Sequence, residues 1–180
     1  MLVGRERYDL DGKELLLRCP AQEDAALLID YLKTTCGETP YLSKEPEEVL
    51  LTLEEEKEFI RRTNVSKNSV MLLAFLDGKF IGNCSFSGND LKRERHRATL
   101  GIALFQKYTG MGIGKILIRR LCEIAKEHGF EQMELQVIAR NERAIRLYKG
   151  MGFQIYGTFP DSTKYRDGTY ADTYWMMKKL

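Results

Sequence analysis

Apolar and polar positions in the first half of the chain follow two different periods. Apolar residues from Ala25 to Leu32 recur at helical spacing, and Gly37 suits the left-handed end of a helix. Further on, two short apolar runs flank Asp77-Gly78, a pair typical of a tight β-hairpin. The elements predicted in this half are a strand at Leu15–Arg18, a helix from Ala25 to about Cys36, a loop at Thr35–Pro46, a helix opened by the T-x-x-E capping box Thr52–Glu55 and running to about Arg62, and strands at Val70–Leu76 and Phe80–Ser87.

The second half alternates strands with helices. The predicted elements are a strand at Thr99–Leu104, a glycine-rich turn at Thr109–Gly114, a helix ending at His128-Gly129, a strand at Met133–Ile138, a short helix at Asn141–Lys149, and strands at Phe153–Tyr156 and Tyr174–Met177. Strands joined by a helix usually run parallel, whereas strands of a hairpin run antiparallel. The pattern therefore predicts an α+β fold with a central mixed sheet.

Length and composition predict one soluble domain over residues 1–180. Hydrophobic residues make up 43% and charged residues 30%, which suits a protein with one buried core. The formal net charge of +2 gives no reason to expect nucleic acid or an anionic membrane as a partner. No apolar run approaches the roughly 18 residues of a membrane span. The scattered cysteines, without a CxxC pair or nearby histidines, predict no metal site and a reduced, cytoplasmic protein.

A strand, three glycines at alternate positions and an amphipathic helix follow one another at Leu100–Leu117. Glycine lets the backbone approach a ligand closely, and the first-turn N–H groups of a helix have no partners inside it. The helix dipole and Lys115 add positive charge at that end. The segment therefore favours an anion-binding turn, with a plain strand-to-helix turn as the alternative.

Two other glycine motifs fit this segment poorly. A P-loop continues its Gly-Lys pair with Ser or Thr, whereas Ile116 follows Lys115. A dinucleotide fingerprint needs G-x-G-x-x-G in an early βαβ unit, whereas Gly110, Gly112 and Gly114 alternate and lie past the middle of the chain.

The turn resembles motif A of the GNAT superfamily of N-acetyltransferases, whose core is Arg/Gln-x-x-Gly-x-Gly/Ala. Its residues here are Thr109, Gly110, Met111, Gly112, Ile113 and Gly114. Thr109 stands where the family usually carries Arg or Gln, which affects one side-chain contact and leaves the backbone N–H groups in place. Residues at the spacing of the family's motif B follow at Val137, Asn141, Ala144, Leu147, Tyr148, Gly152 and Phe153.

This resemblance covers roughly Leu72–Met177. It implies the GNAT fold, in which a mixed, mostly antiparallel sheet of six to seven strands is flanked by about four helices. It also implies acetyl-CoA as cosubstrate, without a metal. Ile102, Ala103 and Leu104 would pair through their backbone with the pantetheine arm. Gly110–Lys115 would hold the pyrophosphate, and Thr109 would also bind the cofactor.

The resemblance implies further roles on the motif B helix. Asn141 and Ala144 would contact the cofactor, although Asn141 is also a preferred helix N-cap. Tyr148 would act as general acid and protonate the departing thiolate, the alternative being a tyrosine packed within its helix.

The group that takes the proton from the acceptor amine stays open. Several family members place a glutamate on the strand before motif A, but Ala98–Leu104 contains no acid. A lysine-like primary amine is protonated at neutral pH and must lose a proton before it attacks the thioester. The candidates are Glu38, Glu47, Glu134, Tyr170, Asp172 and a chain of water molecules.

Two remaining segments favour ordinary roles. The basic run Lys92–Arg97 contains an acid and lacks interleaved aromatics, which indicates a solvated loop, with contact to the substrate or to a CoA phosphate as the alternative. The aromatic segment Tyr165–Trp175 favours core packing or a homodimer contact over a substrate cage.

The function implied is transfer of an acetyl group from acetyl-CoA to a primary amine of a small molecule or peptide, by direct attack. The alternative is a non-catalytic acyl-CoA-binding module of the same fold, for which the missing base is the support. Nucleic acid and membrane are not expected as partners.

Overall fold

The computed structural model describes residues 1–180 as eight β-strands and four α-helices, with short 3-10 turns. The strands are β1 Glu6–Leu10, β2 Lys13–Arg18, β3 Ser69–Leu76, β4 Lys79–Gly88, β5 Arg97–Leu104, β6 Gln132–Ile138, β7 Gln154–Lys164 and β8 Tyr170–Lys179. The α-helices are α1 Ala25–Glu38, α2 Leu53–Val65, α3 Ile113–Glu127 and α4 Glu142–Gly150. The strand order is β1-β2-β3-β4-β5-β6-β8-β7.

The predicted α+β fold with a mixed, mostly antiparallel sheet is confirmed, but the sheet has eight strands rather than six to seven. The strand missing from the prediction is β1, which pairs with β2 across the turn at Asp11-Gly12. Its residues, Glu-Arg-Tyr-Asp-Leu, are mostly charged, and the strand lies at one end of the strand order. A charged edge strand carries little hydrophobic alternation, so its pattern reads as loop.

Two local signals of the first half are confirmed. Thr52 caps α2 by accepting a hydrogen bond from the Glu55 N–H at 3.3 Å, and the Glu55 carboxylate accepts the Thr52 N–H at 2.8 Å. Asp77 and Gly78 have φ values of 47° and 76°, which suit the tight turn that joins β3 and β4. The loop predicted from Thr35 was wrong at its start, because α1 continues through Gly37 to Glu38.

One compact unit comprises Met1–Ser87 and Gly101–Ile113. Strands β1 to β4 form an antiparallel meander, and α1 and α2 pack on it through the apolar side of the sheet. The core of this packing consists of Ala25, Leu28, Tyr31, Ile60, Met71 and Leu73. The amphipathic spacing of α1 therefore buries the face that the sequence pattern indicated.

The second compact unit comprises Gly88–Leu100 and Gly114–Leu180. Here β5 pairs in parallel with β6, while β8 pairs antiparallel with both β6 and β7. The hairpin of β7 and β8 is longer than predicted, because it reaches Lys164 and Tyr170. Action of residues 1–180 as a single domain stays a prediction.

Two further properties bear on the expectations from composition. All four cysteines are free. None of the helices is both long and apolar enough to cross a membrane.

Strand β4 contains an irregularity at Gly82. The register with β3 passes from Ala74↔Gly82 to Phe75↔Phe80, so Ile81 is an extra residue that bulges β4. Gly82 has a φ of 148°, and a Cβ there would lie 2.4 Å from the Ala103 carbonyl oxygen and 2.8 Å from the Leu104 Cα. The backbone of β5 therefore lies in close contact with Gly82 and leaves no room for a side chain there.

Replacing this glycine should destabilise the protein. We expect Gly82→Ala to lower the free energy of unfolding by at least about 2 kcal/mol, because both backbone strain and overpacking cost 1–3 kcal/mol. Gly101→Ala is the matched control, since a Cβ at Gly101 would meet its nearest neighbour, Ser85 Oγ, at 3.7 Å. Urea denaturation of both variants measures the difference, and equal midpoints would contradict the close approach.

Candidate functional site

The glycine turn lies directly before α3 and exposes its backbone. Gly110 and Gly112 have φ values of 83° and 81°, and Gly110, Met111 and Gly112 are exposed. Helix α3 begins at Ile113 and has no acidic residue in its first turn. Its first N–H groups are therefore donors at the positive end of the helix dipole, with the exposed Lys115 beside them in sequence. This arrangement suits an anion such as a phosphate group.

The third glycine of the turn, Gly114, leaves room for a side chain of α4. A Cβ at Gly114 would lie 2.9 Å from Leu147 Cδ2, so α4 packs closely against the start of α3. Leu147 belongs to the motif B pattern, and its neighbour Tyr148 follows on the same helix. The two sequence motifs are therefore in direct contact in the structure.

Thr109 uses its side chain within the turn. Its hydroxyl donates to the Gln106 carbonyl oxygen at 2.6 Å, and its N–H donates to the same oxygen at 3.1 Å. Gln106 is itself held by α1, because its N–H donates to the Glu38 carboxylate at 2.8 Å. Thr109 thus shapes the chain that leads into the glycines.

Strand β5 leaves its partner β6 before its end. The parallel register runs from Arg97↔Gln132 to Thr99↔Glu134 and goes no further, although β5 continues to Leu104. Ile102, Ala103 and Leu104 are half-buried residues in this last stretch. A strand that ends its pairing in this way keeps backbone N–H and C=O groups available for a ligand.

Asn141 caps α4, as its residue type predicts. Its side-chain oxygen accepts the Ala144 N–H at 3.2 Å, and its own backbone oxygen accepts the Ile145 N–H at 3.0 Å. Both Asn141 and Ala144 are half-buried. The capping oxygen is one acceptor of the side chain, so its NH2 group remains a separate donor.

Tyr148 lies on the buried face of α4 and is 7% exposed. Its ring meets Phe153 edge to face, with 6.0 Å between the ring centroids. Burial raises the pKa of Tyr148 to about 12, and no charged neighbour opposes this effect. The phenol is therefore protonated at neutral pH, as a proton donor must be.

Most of the candidate proton acceptors are engaged elsewhere. Glu134 is buried and forms a salt bridge with Arg97 at 3.2 Å, and Asp172 accepts the Asp161 N–H at 3.0 Å within the hairpin of β7 and β8. Glu38 holds the Gln106 N–H at 2.8 Å. The side chains of Glu47 and Tyr170 are exposed. None of the candidate carboxylates is therefore both buried and without a partner.

One carboxyl group escaped the sequence analysis. Glu56 is buried on α2, on the same stripe as Ile60 and Thr63, and burial raises its pKa. Its spacing of four residues from Ile60 was the available signal, since it places Glu56 on the apolar face.

Two further residues near the end of β5 were also missed. Tyr31 on α1 donates its hydroxyl to the Ala103 carbonyl oxygen at 2.7 Å, and Gly82 lies under the same carbonyl group. A glycine within an apolar strand signals a bulge or close backbone approach, so Gly82 could have been noticed. Tyr31 had no such signal, because a tyrosine on an apolar helix face usually packs in the core.

The family follows from comparison with known proteins. Residues 31–153 match the model of the Acetyltransferase (GNAT) family. The match includes β5, the glycine turn, α3 and all of the motif B residues. The chain belongs to the Acetyltransferase (GNAT) family.

Individual relatives agree with this assignment. An L-amino acid N-acetyltransferase of Escherichia coli strain K12 is 32% identical over 110 residues, which are 59% of this chain and 66% of that protein. The chain thus matches slightly less than two thirds of this relative's length. The crystal structure of a GNAT-family acetyltransferase from Streptococcus pneumoniae is 34% identical, with a TM-score of 0.88 over 93% of this chain and 100% of that one.

A third similarity concerns the fold alone. A Salmonella typhimurium structure solved with its cofactor acetyl-CoA is 18% identical to this chain, with a TM-score of 0.80. The similarity covers 92% of this chain and 94% of that one.

The cap at Asn141 predicts how two substitutions differ. Asn141→Ala removes the acceptor of the Ala144 N–H and should lower the free energy of unfolding by about 1 kcal/mol. Asn141→Asp keeps an acceptor at the positive end of the helix dipole and should stay close to the wild type. Chemical denaturation distinguishes the two, and equal losses in both variants would show that the cap does not account for Asn141.

Proposed function

We propose that this protein is an acetyl-CoA-dependent N-acetyltransferase that acetylates a primary amine of a small molecule or peptide by direct attack. The observation that carries the proposal is the exposed glycine turn at the acid-free N-terminus of α3. Membership of the GNAT family and the fold shared with an acetyl-CoA-bound structure support it. We propose that residues 1–180 act as one catalytic domain.

The pyrophosphate of acetyl-CoA would bind the turn through backbone N–H groups from Gly110 to Lys115. Thr109, Met111 and Ile113 would contribute backbone rather than side-chain contacts, since the Thr109 hydroxyl is already bonded to Gln106. The pantetheine arm would pair with the backbone of Ile102, Ala103 and Leu104, where β5 is no longer paired with β6. The Asn141 NH2 group and Ala144 would contact the arm near the start of α4.

The chemistry would be a single transfer. The amine nitrogen attacks the thioester carbonyl carbon, and the Leu104 backbone N–H stabilises the negative charge that develops on its oxygen. The C–S bond then breaks, Tyr148 gives its proton to the sulfur, and the nitrogen loses its extra proton to solvent. The phenolate is reprotonated from water before the next turnover.

The acceptor would enter as the free amine. The candidate carboxylates are engaged in hydrogen bonds and an ion pair or are exposed, which supports loss of the amine proton to solvent before attack. L-amino acids are the first acceptors to test, because the Escherichia coli relative is named for them.

Release of free thiol from acetyl-CoA, with L-amino acids, other small amines and peptides as acceptors, tests this function. We expect Tyr148→Phe to lower kcat by about 10²–10⁴-fold without weakening CoA binding, because it removes only the proton donor. Tight CoA binding with no turnover of any acceptor would instead favour a binding module. No CoA binding at all would contradict the whole proposal.

The turn is tested by a matched pair at Gly112. Asp and Asn both tolerate positive φ, and Asp11, Asp77 and Asp161 adopt it in this chain. Gly112→Asp should abolish CoA binding because it places a carboxylate against the pyrophosphate, whereas Gly112→Asn should bind measurably better. Equal affinities by calorimetry would exclude an anion at this position.

The pKa of Tyr148 sets the alkaline side of the pH profile. Tyr148 must be protonated to act, so its contribution is complete below its pKa of about 12 and is lost above it. The value of kcat/KM should therefore rise with pH as the free acceptor loses its proton. It should show no decrease at any pH lower than about 11. Steady-state kinetics from pH 6 to 10.5 measure this. A falling limb near pH 10 would contradict Tyr148 as the acid.

A further inference from the structure

A side chain of α1 forms a hydrogen bond with the backbone near the end of β5. The Tyr31 hydroxyl donates to the Ala103 carbonyl oxygen at 2.7 Å. Tyr31 is 2% exposed, and burial raises the pKa of its phenol, so it stays a neutral donor. The Ala103 carbonyl group, near the end of β5, thus accepts a hydrogen bond from a helix side chain.

The tyrosine has little freedom to move. Its ring meets Phe80 and Phe105 edge to face, with centroid distances of 5.2 and 5.3 Å. Phe80 precedes the bulge of β4, and Phe105 directly follows β5. The aromatic cluster therefore fixes the hydroxyl relative to the two strands that it approaches.

The backbone around Ala103 is restrained by two more contacts. Gly82 lies under the Ala103 carbonyl group with no room for a Cβ, and the Phe105 N–H donates to the Ile81 carbonyl oxygen at 3.0 Å. The Ala103 oxygen and the Phe105 N–H thus both face β4. The Ala103 oxygen belongs to the peptide group that joins Ala103 to Leu104, so the hydrogen bond from Tyr31 acts on that peptide group.

A trans peptide group is planar, and its C=O and N–H point in opposite directions. The chain contains no cis peptide bond. The hydrogen bond that fixes the Ala103 oxygen toward α1 and β4 therefore also fixes the Leu104 N–H, which points away from them. A rotation of this peptide group would move both ends together.

We propose that Tyr31 is a positioning residue for acetyl transfer: its hydroxyl, bonded to the Ala103 carbonyl oxygen, aims the Leu104 N–H at the thioester oxygen. This inference rests on the proposed function, in which the Leu104 N–H stabilises the developing oxyanion. Tyr31 touches neither acetyl-CoA nor the acceptor. It acts through one peptide group, and its effect belongs to the chemical step rather than to CoA binding.

The test is Tyr31→Phe, which keeps the ring among Phe80 and Phe105 and removes only the hydroxyl. We expect kcat to fall about 10-fold or more, toward the 10²–10³-fold typical of losing an oxyanion donor. The dissociation constant for CoA should change less than about 2-fold. Tyr8→Phe is the control, since its hydroxyl bonds to Glu6 at 2.8 Å on β1.

A second readout, the Leu104 amide resonance, does not depend on turnover, and its wild-type measurement does not depend on the variant. In wild-type protein, the Leu104 amide proton resonance should move downfield when CoA is replaced by acetyl-CoA, because the thioester oxygen is then its acceptor. The same replacement should move it much less in Tyr31→Phe. If that variant does not fold, a wild-type Leu104 resonance that ignores the acetyl group still overturns the inference.

The outcomes distinguish failure of the Tyr31 role from failure of the proposed function. Wild-type turnover with Tyr31→Phe equal to Tyr8→Phe in kcat and in the Leu104 response would overturn the role of Tyr31 and leave the proposed function intact. Wild-type protein that binds no acetyl-CoA would overturn both. A fall in CoA affinity as large as the fall in kcat would show a structural role only.

Discussion

The structure around the end of β5 follows from one constraint: the last residues of the strand are held along the edge that faces β4, while pairing along the other edge stops before the strand ends. Pairing with β6 ends at Thr99, while the strand runs on to Leu104. A strand end that is paired along only one edge depends on the contacts at that edge. Here the opposite edge is restrained by the close approach of Gly82, the Phe105 bond to Ile81 and the Tyr31 hydroxyl on Ala103. These contacts along the β4 edge therefore hold the end of β5 in place, although its β6 edge has no strand partner beyond Thr99.

The same principle applies to the glycine turn. The chain is held by side-chain contacts on each side of the glycines. Before the glycines, Glu38 holds Gln106 and Gln106 accepts from Thr109. After them, Gly114 allows Leu147 to pack against the start of α3. The three glycines thus serve two purposes, since Gly110 and Gly112 provide positive φ and Gly114 provides space.

Sequence reasoning succeeded where a feature is encoded within a few residues. The cap at Thr52, the turn at Asp77-Gly78, the cap at Asn141 and the class of fold all follow from short patterns. It failed where the cause lies far along the chain. Tyr31 and Ala103 lie 72 positions apart in the chain, so no local pattern indicates their hydrogen bond, and β1 owes its pairing to β2 rather than to its own charged residues. The roles of Tyr148 and the turn in catalysis came from the motif resemblance and stay predictions.

The environment of Tyr148 constrains how a proton could be transferred there. With a pKa of about 12, its proton would pass to a thiolate of ordinary pKa at a cost of about 5 kcal/mol. Burial, however, disfavours every charged form, so a thiolate released into the same apolar surroundings would also become more basic. Full charge on either group is therefore costly, and the lower path transfers the proton while the C–S bond is breaking. A buried tyrosine suits that timing because it holds a proton firmly until a strong base appears beside it.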